Sequence, residues 1–195
     1  MDFIVENFSV KPLKDGKYIS PKLAEFTLNG QKRDWELLRV GNSVAILIYN
    51  RDSNSFVCVK QFRPAVYFNH KINYTIELCA GLLDKNCSLE QTAKEEILEE
   101  CGFDVDVNRL EYITSFYTCV GHAGSKQHLF FVEVDESMRV SRGGGVEGEE
   151  IIEVIEIPIN RARELMFDLN IAKTPGLLFA FEWFLNGRKR WKQQF

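Results

Sequence analysis

Two apolar runs, set close together, constrain this chain most. Residues 43–49 (SVAILIY) read as a buried strand, and residues 56–62 (FVCVKQF) as a second strand of similar character. The turn formers Arg51-Asp52-Ser53-Asn54 lie between them, so the pair predicts a β-hairpin. A fold grown around that hairpin needs helices to cover it, and the chain supplies them. Ser88 predicts the cap of a helix reaching about Cys101, with Gln91 as its capping-box partner and Gly102 as its stop. Asn160 predicts the cap of a helix to Phe167, and Thr174-Pro175 opens a last helix through Leu185.

Further strands are predicted at 75–79, ending in Ala80-Gly81, and at 111–118, 129–134 and 151–157. Residues 1–40 read as short strands, with hairpin turns marked by Lys14-Asp15-Gly16-Lys17 and Asn29-Gly30. Gly143-Gly144-Gly145 reads as a flexible loop between structured segments. This order of strands and helices indicates an α+β or α/β sandwich.

At 195 residues and 45% hydrophobic content, one domain with an N-terminal extension accounts for the chain. The formal charge of −4 and the lack of a basic patch before Arg188-Lys189-Arg190 argue against a nucleic-acid partner. That triplet reads as a solvated helix end. The five cysteines are odd in number and carry no CxxC spacing, which points to reduced thiols in a cytoplasmic protein. No signal peptide is read at Met1–Glu6, and no apolar stretch approaches the roughly 18 residues of a span, so no membrane partner is expected.

The predicted helix at 88–101 carries Glu96, Glu99 and Glu100 at i, i+3 and i+4, which places all three on one face. Glu95 and Glu99 form a further like-charge i, i+4 pair, destabilising by roughly 0.2–0.5 kcal/mol in an isolated helix. Taken alone, such a cluster is more often a solvated acidic face. Its chemical alternative is a site for a hard divalent cation, which takes carboxylate oxygens and bridges to substrate phosphates.

The surroundings favour the alternative. From Gly81 through Glu96, Glu99 and Glu100 to Gly102-Phe103, the chain resembles the Nudix box, G-x5-E-x7-R-E-U-x-E-E-x-G-U, without a gap. Two positions depart from it: Cys87 stands at the first Glu and Glu95 at the Arg. The resemblance to Nudix hydrolases implies an α/β/α sandwich with a mixed sheet and an N-terminal β extension. It also implies Mg²⁺, with Mn²⁺ as a substitute, held by Glu96, Glu99, Glu100 and the Ala80 carbonyl.

Three other stretches extend the resemblance. Gln61-Phe62-Arg63 is similar to the QFR strand of nucleotide-sugar pyrophosphatases, which implies a phosphate contact for Arg63. Glu77 to Gly81 matches the E-x-x-A-G entry to the box, implying a substrate contact for Glu77. Gly124-Ser125-Lys126-Gln127 looks like the UDP-sugar diphosphatase branch, implying substrate contacts for Ser125 and Gln127. After the triple glycine, Glu147, Glu149 and Glu150 are three candidates for a late catalytic glutamate, and the sequence does not choose among them. His122 reads as a hydrogen-bonding loop residue, and Trp35 and Phe26 as core residues.

Together these imply Mg²⁺-dependent hydrolysis of a nucleoside diphosphate sugar, UDP-glucose giving UMP and glucose 1-phosphate. Two rivals stay open: an ADP-ribose or ADP-sugar pyrophosphatase, and a degenerate, non-catalytic nucleotide-sugar-binding module. The resemblance divides the chain into an N-terminal β region at 1–40, forming a homodimer, and a hydrolase domain at 41–195.

Overall fold

The computed structural model describes residues 3–14, 16–146 and 151–187. Strands β1 (Ser20–Leu28) and β2 (Gln31–Arg39) form a two-stranded antiparallel sheet of their own. The Asn29-Gly30 turn joins them as predicted. Both residues have positive φ, 51° and 79°, the combination whose twist matches a tight hairpin. Among the described residues no strand precedes Ser20, so the turn signal at 14–17 joins no hairpin.

The second sheet has seven strands and is mixed. The expected hairpin forms from β3 (Ser43–Asn50) and β4 (Ser55–Gln61), with Ile48 opposite Val57. It is joined by β5 (Thr75–Glu77), β6 (Cys79–Leu82), β7 (Glu111–Thr118), β8 (Ser125–Val134) and β9 (Ile152–Pro158). The path runs β5-β4-β3-β8-β7, with β6 also on β3 and β9 also on β4. Only β3 and β8 run parallel. The predicted strand at 75–79 breaks at Leu78, because β5 pairs with β4 while β6 pairs with β3.

Four α-helices complete the sandwich: α1 (Pro64–His70), α2 (Leu89–Glu96), α3 (Ile159–Phe167) and α4 (Pro175–Leu185). Alternation along β3 shows why both faces need cover. Val44, Ile46 and Ile48 pack with Ala93, Ile97 and Cys101 from α2 and the turn after it. Ala45 and Leu47 pack with Ala162 of α3 and Leu177, Ala180 and Phe181 of α4. Each large apolar side chain buried this way contributes about 1.5–3 kcal/mol.

Several local expectations need correction. The Gln61-to-Pro64 stretch leads into α1, which the sequence reading missed. That helix buries none of its residues and rests instead on aromatic contacts such as Tyr67 with Phe8, 4.9 Å between ring centres. Helix α3 begins at Ile159, with Pro158 rather than Asn160 at the cap position and no side-chain cap bond. Phe26 and Trp35 are 43% and 56% exposed and so are not core residues, because β1 and β2 form a sheet apart from the main one; Trp35 Nε1 donates to Gly121 O at 2.6 Å. No helix among the described residues is long and apolar enough to cross a membrane.

All five cysteines are unpaired; Cys58, Cys79 and Cys101 are buried, and Cys87 and Cys119 are exposed. Burial pushes the Cys58 and Cys79 thiols well above the usual range, which withholds the reactive thiolate. Native protein treated with a thiol reagent should therefore label rapidly at Cys87 and Cys119 and slowly elsewhere. A third thiol reacting at the same rate would contradict this packing.

Candidate active site

The site grows from a close approach of strand to helix. Strand β6 pairs with β3, Ala80 opposite Ala45 and Gly81 opposite Val44, and Leu83 N–H donates to Asn42 O (2.9 Å) where the chain leaves the sheet. Ser88 then starts α2: its Oγ accepts the Gln91 N–H at 3.1 Å. The capping box is only half made, since the Gln91 side chain turns forward and donates to Glu95 Oε1 at 2.9 Å. Helix α2 returns directly over β6. Glycine at position 81 leaves room for the Glu96 carboxylate, which lies where a Cβ would be and would have to swing aside for any larger residue.

The α-helical pattern stops at Glu96. Residues Ile97–Cys101 form one wide π-turn, and Gly102, at φ 77°, ends it as expected. Single π-turns inside helices are frequent at functional positions. Beyond the turn the glutamates reach different neighbours. Glu96 lies over Gly81. Glu100, only 3% exposed, accepts the Ala80 N–H at 2.9 Å. Glu99 is more open and lies 3.9 Å from Lys85 Nζ. Two of the three carboxylates therefore contact the Ala80-Gly81 strand end directly.

Among the described residues, no three acidic, histidine or cysteine side chains already converge as a metal cage. Mg²⁺ does not require one, because it keeps several waters and is held by one or two carboxylates plus substrate phosphates. Glu96, Glu99, Glu100 and the Ala80 carbonyl offer only hard oxygens, which fits Mg²⁺ or Mn²⁺. The soft alternative behind them is closed. Burial first, then a hydrogen bond with Cys101, raises the Cys79 thiol and keeps it protonated.

Arg63 and Glu77 come together. Arg63 Nε and Nη2 donate to the two Glu77 oxygens at 2.8 and 2.9 Å, a bidentate pair on a nearly buried carboxylate. Glu77 sits opposite Val59, whose side chain belongs to the core beneath α2, so this pair is on the glutamate face. Ser125 and Gln127 are not brought to that face. Gln127 donates to Ser43 Oγ at 3.2 Å and lies against Gly176 of α4, on the opposite side of the sheet. Ser125 Oγ is 2.7 Å from Thr118 Oγ1.

Glu147, Glu149 and Glu150 lie outside the described residues. The glycine run before them is not the free loop expected from its composition. Gly144 and Gly145 donate to the Glu100 and Glu99 carbonyls at 2.9 and 3.1 Å. Gly143 has φ 65°, and a side chain there would strike the Glu100 carbonyl. Two of the three glycines thus satisfy carbonyls at the end of the glutamate helix, while the Gly143 N–H donates to Ser141 Oγ at 3.1 Å.

The two departures from the box pattern have local partners. Cys87 Sγ lies 3.2 Å from Thr92 Oγ1 in the first turn of α2. Glu95 accepts from Gln91 and from Lys85 Nζ, each at 2.9 Å, and these bonds hold its carboxyl below the usual range. Its compensating cation is Lys85, not Lys94, which pairs with Asp104 at 3.1 Å. Sequence reasoning missed Lys85, ten residues upstream in a loop whose path the sequence leaves open. Thr75, which donates to Glu77 Oε1 at 2.5 Å, was legible as a same-face neighbour two residues away.

This chain resembles known proteins over most of its length. The NUDIX domain pattern matches residues 40–174. The chain is 34% identical to a uridine diphosphate glucose pyrophosphatase of Bos taurus, over 93% of this chain and 95% of that protein. It is 37% identical to a GDP-mannose pyrophosphatase of Cronobacter sakazakii, over 84% and 86% respectively. A GDP-mannose pyrophosphatase of Salmonella typhimurium is 38% identical over 74% of this chain and 78% of its own length.

Replacing Gly81 with Ala should force Glu96 from its place. The expected result is a small change in stability, because a flexible side chain gives way, with divalent-cation affinity lowered by the displaced carboxylate. Unchanged cation binding in a Gly81→Ala titration would show that the Glu96 position does not matter.

Proposed function

Since the chain belongs to the NUDIX domain family, we propose that it hydrolyses the diphosphate of a nucleoside diphosphate sugar, with UDP-glucose giving UMP and glucose 1-phosphate. The observation that carries this reading is the docking of the glutamate helix on the Ala80-Gly81 strand end, where Glu96 and Glu100 meet one stretch of backbone. Glu96, Glu99, Glu100 and the Ala80 carbonyl would hold Mg²⁺. The bound cation supplies neutralisation of the diphosphate and a water of lowered pKa.

The protein's own groups do the rest. Glu77 fixes the Arg63 guanidinium in plane, and Arg63, 44% exposed, contacts a substrate phosphate and takes up charge as the bond breaks. One of Glu147, Glu149 and Glu150 accepts the proton of the attacking water. Support for that assignment is the anchoring of Gly144 and Gly145 on the Glu99 and Glu100 carbonyls, just before this segment. Water oxygen bonds to one phosphorus, the bridging oxygen leaves with the other phosphate, and the proton ends on the products. Ser125 and Gln127, away from the glutamate face, take no part in this reading.

A second substrate, GDP-mannose, is favoured by the 37% and 38% identity to GDP-mannose pyrophosphatases. A panel of UDP-glucose, GDP-mannose and ADP-ribose with Mg²⁺ separates the choices by kcat/KM, with UDP-glucose expected highest. Release of no nucleoside monophosphate from any of them would sink the proposal. Glu99→Gln should lower kcat by roughly two orders of magnitude or more while circular dichroism stays unchanged. Full activity in that variant would remove Glu99 from the site. The five unpaired thiols support a cytoplasmic location.

We further propose that the N-terminal region pairs two copies. One face of the β1–β2 hairpin carries Ala24, Phe26, Leu28 and Trp35, with Phe26, Leu28 and Trp35 43–57% exposed. A two-stranded hairpin is marginally stable without further packing, which a second copy would supply. Light scattering should report a dimer, and Phe26→Glu should weaken it. A wild-type monomer at micromolar concentration would refute this pairing.

A further inference from the structure

Glu95 stands where enzymes of this pattern carry Arg, and it adds a fourth carboxylate beside three that already repel one another. Its surroundings give it a task. Lys85, in the loop between β6 and α2, is a cation on the loop side of this face. Its Nζ lies 2.9 Å from Glu95 Oε2 but 3.9 Å from Glu99 Oε1. The second Glu95 oxygen is held by Gln91 Nε2 at 2.9 Å, so the carboxylate is fixed in the direction of Lys85. Glu99 follows Glu95 by four residues, and both side chains are reached from the same loop.

An ammonium and a divalent cation compete for any carboxylate that both can reach. Without Glu95, Lys85 would have Glu99 as its nearest anion. We infer that Glu95 is a positioning residue: it draws Lys85 off Glu99 and leaves Glu99 to the divalent cation. The inference rests on the proposed function, in which Glu99 is a cation ligand.

The same arrangement explains both departures from the box. An Arg at position 95 would face Lys85 with like charge. A Glu at position 87 would be another anion in the loop that carries Lys85. The neutral Cys87 avoids that, with its Sγ 3.2 Å from Thr92 Oγ1. The loop-to-helix ion pair of this chain has the base on the loop and the acid on the helix.

A double-mutant cycle read by calorimetric Mn²⁺ titration of the full-length, substrate-free protein tests this. Glu95→Gln should weaken Mn²⁺ binding about two- to fivefold, the scale of an exposed ion pair. In the Lys85→Met background the same change should have little effect, since no lysine remains to fall on Glu99. An equal loss in both backgrounds, or none in either, would overturn the inference. Glu99→Gln in parallel separates the two levels. If it leaves Mn²⁺ binding unchanged, the assignment of Glu99 as a ligand fails, and the inference fails with it. If it weakens binding while the cycle is additive, only the inference fails. Thermal unfolding without metal should be alike for the wild type and the Lys85 and Glu95 variants, because both side chains are at the surface.

Discussion

The contact between the glutamate helix and the end of β6 is the constraint on which the rest of this structure depends. Glu96 lies where any side chain at residue 81 would be, and Glu100 takes the N–H of Ala80. The Ser88 cap turns the chain back over the sheet, and glycine at 81 leaves space for the Glu96 carboxylate against the strand. Apolar packing of Ala93, Ile97 and Cys101 against Val44 and Ile46 fixes the distance from below. Core packing and site geometry are therefore one arrangement seen from two sides.

Charge is organised around that contact in pairs. Arg63 is held by Glu77 on the neighbouring strands, and Lys85 by Glu95 on the loop side. Each pair places a cation beside the glutamate face while giving it another anion to rest on. In the proposed site for a divalent cation and a diphosphate, such cations must be present without occupying the divalent cation's ligands. The glycine run adds a third boundary, because Gly144 and Gly145 cap the Glu100 and Glu99 carbonyls.

What the sequence revealed was what is local. The β3–β4 hairpin, the Asn29-Gly30 turn, the Ser88 and Thr174 caps and the Gly102 stop all depend on neighbours a few residues away. Helix α1 was hidden because it buries nothing, so no apolar period marks it. The π-turn at Ile97–Cys101 was hidden because a spacing of i, i+3, i+4 assumes regular winding. Lys85 against Glu95, and the glycine run against the helix end, are contacts between segments that only the fold brings together. Ser125 and Gln127 came from resemblance, and register places Gln127 on the sheet face away from the glutamates.

The central claim is that Glu96, Glu99, Glu100 and the Ala80 carbonyl together make a cation site. Anomalous diffraction from a crystal soaked in Mn²⁺ tests it most directly. The expected result is a peak about 2.0–2.3 Å from oxygens of at least two of the three glutamates, with the Ala80 carbonyl in the same shell. A peak elsewhere, or none at millimolar Mn²⁺, would contradict it.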